Sequence, residues 1–191
     1  STFFQLEKEA YSKKNQAISN LLQGKKEDIV DSVIKVYTSN VDNIIRASQT
    51  SQRVSKEDWN DWLNRLTLEM IKESPSPIIR LCSIISQSYS AIGHSLFNFS
   101  FYSCWRQLNY INREKLTSYL TEALQLQDMN EIVLPILNLM EFIQHTQFEN
   151  CPPISSQELA NCSFRASAFV KSLRYIEESL TKTESIDVLQ S

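Results

Sequence analysis

Glycine occurs only twice in 191 residues, at Gly24 and Gly93, where a chain of average composition would carry about 13. Glycine lets a backbone take positive φ at little steric cost, so a chain with so few has little to build tight turns from. Rossmann crossovers, phosphate-cradling loops and hairpin-rich sandwiches all need glycine at such positions and are disfavoured before any motif is sought. Proline adds only 5 residues. What remains is an all-α fold. A chain of this length buries roughly 70% of the surface that its unfolded form exposes, enough for a core.

Charge narrows the partners. Lys and Arg number 19 against 22 Asp and Glu, a net of −3, and no basic block is longer than Lys25-Lys26. Nucleic-acid affinity comes largely from neutralised phosphates, so DNA and RNA are not expected partners. No apolar run approaches the roughly 18 to 20 residues that span a bilayer. The N-terminus lacks the layout of a signal peptide, and the expected compartment is the cytoplasm. Cys82, Cys104, Cys151 and Cys162 are then expected to be reduced thiols, three of them on apolar helix faces. The sequons Asn98-Phe99-Ser100 and Asn161-Cys162-Ser163 fall within expected helices and are discounted. A start at Ser1 rather than Met is read as the sign of a processed product or a section of something longer.

Apolar spacing of three and four residues places the helices. Phe3, Leu6, Ala10, Ala17, Ile18, Leu21 and Leu22 form an imperfect stripe ending near Gly24, and a second helix starts near Glu27. Residues 38–55 are polar apart from Val41, Ile44, Ile45 and Val54, a short helix flanked by a connector. A variant capping box, Ser55-Lys56-Glu57-Asp58, opens a helix with Trp59, Trp62, Leu63, Leu66, Met70 and Ile71 inward. Ser76, with Pro77 at the first helical position, starts the next, expected to bury Ile78, Leu81, Cys82, Ile85 and Tyr89. A helix from near Ala91 carries Phe97, Phe101, Cys104, Trp105 and Leu108 on one stripe, with Phe99 and Tyr102 on other sides, so it is expected to lie between neighbours.

Further along, Asn112 is expected to cap a helix with Leu116, Tyr119, Leu120, Ala123 and Leu124 inward. Asp128 with Glu131 is expected to open one with Ile132, Ile136, Leu139, Met140 and Ile143 inward. Pro135 predicts either a kink near residues 131–135 or a fresh start with Pro135 first. After a loop over residues 145–155, Ser155 and Glu158 form a capping box for a last helix. In it Leu159, Cys162, Ala166, Phe169, Leu173, Ile176 and Leu180 repeat with heptad spacing. That narrow seam faces one partner helix, in this chain or another, and is the candidate protein-interaction surface. Residues 181–191 are read as a frayed tail. Helix starts near Ser55, Ala91 and Asp128 are spaced by about 36 residues, within the range of HEAT-like and TPR-like repeats. The architecture expected is an antiparallel helix-hairpin α-solenoid segment.

Nothing in this pattern forms a reaction centre. His94 and His145 are far apart and no Cys-x-x-Cys or His-x-x-x-His occurs, so no metal site is expected. Cys104 beside Trp105 has no nearby His and an apolar setting, which raises a thiol pKa and makes it inert. Asp58 and Asp61 lie near a helix start, where carboxylates complement the macrodipole. Without a Gly-x-Ser-x-Gly elbow or a glycine-rich nucleotide loop, no catalytic residue and no cofactor is assigned. Trp59 and Trp62, at i and i+3 with Leu63 and Leu66, read as the inner face of a hairpin rather than a binding hot spot.

One stretch nonetheless carries specific strings. They run Val54-Ser55-Lys56-Glu57-Asp58-Trp59, Trp62-Leu63, Arg65-Leu66, Glu69, Lys72-Glu73-Ser74-Pro75-Ser76-Pro77 and Arg80. Leu96-Phe97-Asn98, Phe101, Ser103-Cys104-Trp105, Leu108, Glu122-Ala123-Leu124, Leu137-Asn138-Leu139, Glu141-Phe142 and His145 follow. In this order they resemble the target-of-rapamycin (TOR) kinases of the PI3K-related kinase family, over residues 53–147, with a weaker echo from Ala168 to Glu177. Pro135 and the short proline-containing loop before Ser155 depart from the family pattern.

The resemblance implies the place where the HEAT solenoid gives way to the FAT domain, a helical-repeat cradle around the kinase. Residues 1–52 would end the HEAT-like region with a connector, and residues 53–180 would begin the FAT-like repeats. The implied role is a non-catalytic scaffold segment of a serine/threonine protein kinase in growth and nutrient signalling. It would brace the kinase and touch solenoid segments of the same parent and accessory TOR-complex subunits, the intact complex being able to associate peripherally with endomembranes. The ATP site and catalytic loops of such a kinase lie C-terminal to this stretch, so no catalytic residue carries over. The alternative, from a different class, is a free-standing α-solenoid adaptor whose residues 159–180 dimerise or grip a partner helix. An all-α enzyme with a dispersed site has no motif behind it.

Overall fold

The computed structural model describes residues 37–51, 53–146 and 151–190, with side chains as far as residue 181. The helices expected over residues 3–22 and from Glu27 lie outside the described residues. The described chain contains eight α-helices and no strand: α1 Val41–Ser48, α2 Lys56–Lys72, α3 Pro77–Ser88, α4 Ser90–Trp105, α5 Tyr110–Leu124, α6 Asn130–His145, α7 Ser156–Arg165 and α8 Phe169–Gln190. They belong to one compact unit, Thr38–Ser191.

Helices α2, α4 and α6 pack on one another, and α3 closes a hairpin against α2 and α4. On the other side α5 packs on α6 and on α1, which also lies on α2; α7 rests on α6, and α8 folds back on α7. The stacked set α2, α4 and α6 starts at Lys56, Ser90 and Asn130, close to the spacing read from the sequence.

Local chemistry accounts for these elements. Ser55 Oγ accepts from the Asp58 N–H at 3.1 Å while the Asp58 carboxylate accepts from the Ser55 N–H at 3.0 Å, the capping box that starts α2. Those backbone donors, Ser55 foremost and then Val54, hold the Asp58 carboxyl below its usual range. All six residues expected on the inner face of α2 are buried, and Trp59 meets Trp62 edge to face with centroids 5.4 Å apart. Burial of each such side chain contributes roughly 1.5 to 3 kcal/mol, which is what anchors α2 at the centre.

Helix α4 lies between neighbours as expected. Phe97, Phe101, Cys104, Trp105 and Leu108 are buried, with Phe101 stacked on Trp105 at 5.7 Å. On its opposite side Phe99 and Tyr102 stand edge-on to Phe142 of α6. A second box, Ser155 with Glu158, starts α7.

Several expectations change. Asn109, not Asn112, caps α5, its Oδ1 accepting from the Asn112 N–H at 2.9 Å. Asp128 does not cap α6: its φ of 56° is left-handed, whereas a capping residue needs extended backbone, and Met129 stands at that position without a side-chain bond. Glu131 instead pairs with Lys56 at 2.7 Å, joining the starts of α6 and α2. Helix α6 runs unbroken through Pro135, so no fresh start occurs there. The buried stripe from Ile132 to Ile143 outweighs the one backbone hydrogen bond that proline removes.

Two larger differences concern α3 and the chain end. Of α3 only Ser86 is buried, while Ile78, Leu81, Ile85 and Tyr89, expected inside, face solvent and Cys82 is half-buried. The single last helix becomes two, because Ser167 takes a φ of 59° between Arg165 and Phe169. Backbone expected as a tail from residue 181 continues α8 to Gln190.

Candidate interaction faces

The described residues hold no group of three His, Cys, Asp or Glu side chains placed to bind a metal ion. Burial pushes the Cys104 thiol up to about 12, and its Sγ donates to the Met70 carbonyl at 3.4 Å. No described helix is long and apolar enough to cross a membrane. What the geometry does present is two apolar helix faces turned to solvent.

The first belongs to α8. Of the seven seam residues, Leu159, Cys162 and Ala166 lie on or just after α7 and are buried in the core. Phe169, Leu173, Ile176 and Leu180 lie on α8 and are exposed, with Val170 and Phe164 beside them and Phe164 edge-on to Phe169 at 5.7 Å. The seven therefore form no continuous seam, since the turn at Ser167 separates the two sets.

The inner side of α8 is docked. Ser172 Oγ donates to the Ala160 carbonyl at 3.1 Å, and Tyr175 is buried, its hydroxyl pushed up to about 12 by that burial. Glu141 of α6 receives both Lys171 and Arg174, the latter at 2.5 Å. A cleft of about 470 Å³ runs beside this helix, with Gln125, Glu158, Arg165 and Ile176 among its walls.

The second face belongs to α3, where Ile78, Leu81 and Ile84 are about three-quarters exposed, and Tyr89 and Ile85 half or more. Its rotation is fixed from within. Arg80 Nη1 donates to the carbonyls of Ser74 and Pro75 at 2.7 and 3.0 Å, clamping the turn from α2. Gly93 of α4 lies against Thr67 of α2 and Ser86 of α3, where an added Cβ would meet them at 3.5 and 3.6 Å. The side toward the body carries Ser86, buried, with Ile79, Cys82 and Ser83 half-buried beside it. Each large side chain left outside forgoes roughly 1.5 to 3 kcal/mol of burial. Periodicity identified this stripe but assigned it the wrong direction.

No protein-family model matches the chain, but individual proteins do. It is 41% identical over 145 residues to the serine/threonine-protein kinase mTor of Drosophila melanogaster. It is 37% identical over 132 residues to the serine/threonine-protein kinase TOR of Oryza sativa subsp. japonica and 38% over 137 residues to the serine/threonine-protein kinase TOR2 of Saccharomyces cerevisiae. These matches take in 76%, 69% and 71% of this chain but only 6%, 5% and 6% of those proteins, so the chain spans a small part of the length of the curated relatives it matches.

Proposed function

This chain is homologous to a segment of the TOR family of serine/threonine protein kinases, and from that premise we propose that it is a non-catalytic scaffold element at the junction of HEAT solenoid and FAT domain. The observation that carries this reading is the bare outer face of α8, Phe169, Leu173, Ile176 and Leu180, on a helix whose inner face is already docked. A helix covered on one side and apolar on the other is what an internal repeat of a solenoid offers to the next repeat. Its partners are then solenoid and kinase segments of the same parent and accessory subunits of a TOR complex. Its setting is the cytoplasm, with peripheral attachment to endomembranes through the intact complex.

The test is a double substitution, Leu173→Glu with Ile176→Glu, in the intact kinase. Loss of assembly and of kinase activity, with the isolated segment still helical, is the expected result. Phosphoryl transfer from ATP by this chain alone would overturn the reading. The adaptor alternative draws on the same face: a concentration-dependent dimer of the isolated chain, abolished by Leu173→Glu, would favour it.

A further inference from the structure

We infer that the outer face of α3 is a docking surface for one amphipathic helix supplied by a distant part of the same, longer polypeptide. The inference rests on the scaffold reading above and gives it a second contact, on an element whose apolar residues the sequence pattern had assigned to the core.

Three observations converge. Arg80 clamps the turn that leads into α3, and Ser86 is the α3 residue that lies in van der Waals range of Gly93, so the large side chains are left outward. The inward side is poorly suited to be the end of the structure. Thr67 Oγ1 and Ser86 Oγ are buried without a hydrogen-bond partner while Ile78, Leu81, Ile84 and Ile85 meet water. Apolar surface left wet is unfavourable, and covering the outer face of α3 removes that cost, whereas the inner side has no further apolar surface to take up. Finally, α3 carries a single charged residue, Arg80, whose guanidinium is engaged with backbone carbonyls. An uncharged face with apolar residues at Ile78, Leu81, Ile85 and Tyr89 matches a partner helix bearing its own stripe at i, i+3, i+4 and i+7.

Size decides between a second copy and a tethered helix. A helix of 12 residues is about 18 Å long, and its one face offers a few hundred Å² where a stable complex of separate chains buries about 800 Å² per partner. A second copy held through this face alone would be undersized. A helix on the same polypeptide gains an effective concentration that a separate chain lacks, and the relatives carry this stretch as only 5 to 6% of their length.

The experiment places the photo-crosslinking residue p-benzoylphenylalanine at Leu81 in the full-length polypeptide that carries this segment, with a parallel probe at Leu173. The expected product from position 81 is one intrachain crosslink, undiminished on tenfold dilution, to a peptide with apolar residues at i, i+3, i+4 and i+7. A crosslink to a second copy that fades on dilution, a crosslink to another protein, or none at all overturns the inference. Silence at position 81 with a crosslink from position 173 removes this inference alone, and silence at both removes the scaffold reading too. In the 191-residue chain, Leu81→Glu with Ile85→Glu is expected to keep the helical content and lower the binding of an apolar dye. Unfolding of that variant would show the face to be internal and also overturn the proposal.

Discussion

The indole N–H of Trp62, wholly buried in α2, donates a 2.9 Å hydrogen bond to the carbonyl of Ser48, the last residue of α1. That carbonyl is one of the end groups a helix cannot satisfy by itself. The other end of α1 depends on α2 as well: the Glu73 carboxylate accepts from the Asn40 N–H at 2.8 Å and from the Asn43 amide at 2.9 Å. Eight residues are too few for a helix to persist alone, so α1 depends on its packing against α2 and α5 and on these two contacts at its ends, from Trp62 of α2 and from Glu73 just after it. Trp62→Phe should therefore cost about 2 to 3 kcal/mol, from the orphaned carbonyl and the volume lost. A urea titration should show a lower midpoint with an unchanged slope. A change below about 0.5 kcal/mol would mean that the bond contributes little beyond surface-substitution noise.

Glu141 gives α8 a dependence on acid. Its carboxyl is held below the usual value of 4.5, first by the hydrogen bond from Lys171 and then by the charges of Lys171 and Arg174 against an opposing effect of burial. A group whose folded pKa is depressed contributes all of its stabilisation above the unfolded value and loses it as pH falls through the folded one. Docking of α8 should therefore be constant above about pH 5 and weaken progressively below 4.5. The three side chains are 23 to 35% exposed, so screening limits the effect to about 1 kcal/mol. Hydrogen exchange of the α8 amides, followed from pH 7 down to 3.5, should show opening there first, and Glu141→Gln should remove the pH dependence. An unaltered profile in that variant would disprove the link.

Thiol labelling separates the four cysteines. Cys104 and Cys162 are buried, whereas Cys82 and Cys151 are half-buried. With the Cys104 pKa raised to about 12 by burial, almost no thiolate is present at pH 8, and the thiolate is the reactive form. A disulfide reagent at pH 8 should modify Cys82 and Cys151 in the native chain and reach Cys104 only at the rate of unfolding. The same shift carries a stability consequence: ionisation of the unfolded thiol above 9.0 opposes folding until about 12, so stability should decline across that interval. Native-state modification of Cys104 as fast as that of Cys82 would contradict both statements.

What could be read from the sequence follows from how local each signal is. The boxes at Ser55 and Ser155 and the stripe from Trp59 to Ile71 depend on residues within a few positions of one another, and they appear as read. Asn109 and Asn112 are both good caps, and the choice between them depends on where the chain leaves α4, which no local rule encodes. The direction of α3 is decided by how it packs between α2 and α4, with Ser86 against Gly93, so its stripe was visible but its facing was not. The α8 face was half legible, because the heptad spacing grouped Phe169, Leu173, Ile176 and Leu180, which share one helix and are exposed, but ran on through a turn with no glycine to mark it.

That unmarked turn supplies the last test. Ser167 N–H donates to the Phe164 carbonyl at 3.0 Å and Ala168 N–H to the Ser163 carbonyl at 2.8 Å, the paired bonds of a Schellman stop in which Ser167, at φ 59°, holds the place usually taken by glycine. Left-handed backbone costs a residue with a Cβ roughly 1 to 2 kcal/mol, whereas glycine is free of that penalty but loses more entropy on folding, by about 0.5 to 1 kcal/mol. Ser167→Gly should then be neutral or stabilising by up to about 1 kcal/mol, while Ser167→Val, β-branched and strained at positive φ, should cost about 1 to 3 kcal/mol. Because the turn sets α8 against α7, the valine variant should also expose the Tyr175 hydroxyl, which is otherwise buried, and this can be followed by tyrosine ultraviolet absorbance at alkaline pH. A glycine variant clearly less stable than the parent would show that the serine side chain itself, rather than the backbone it tolerates, secures the turn.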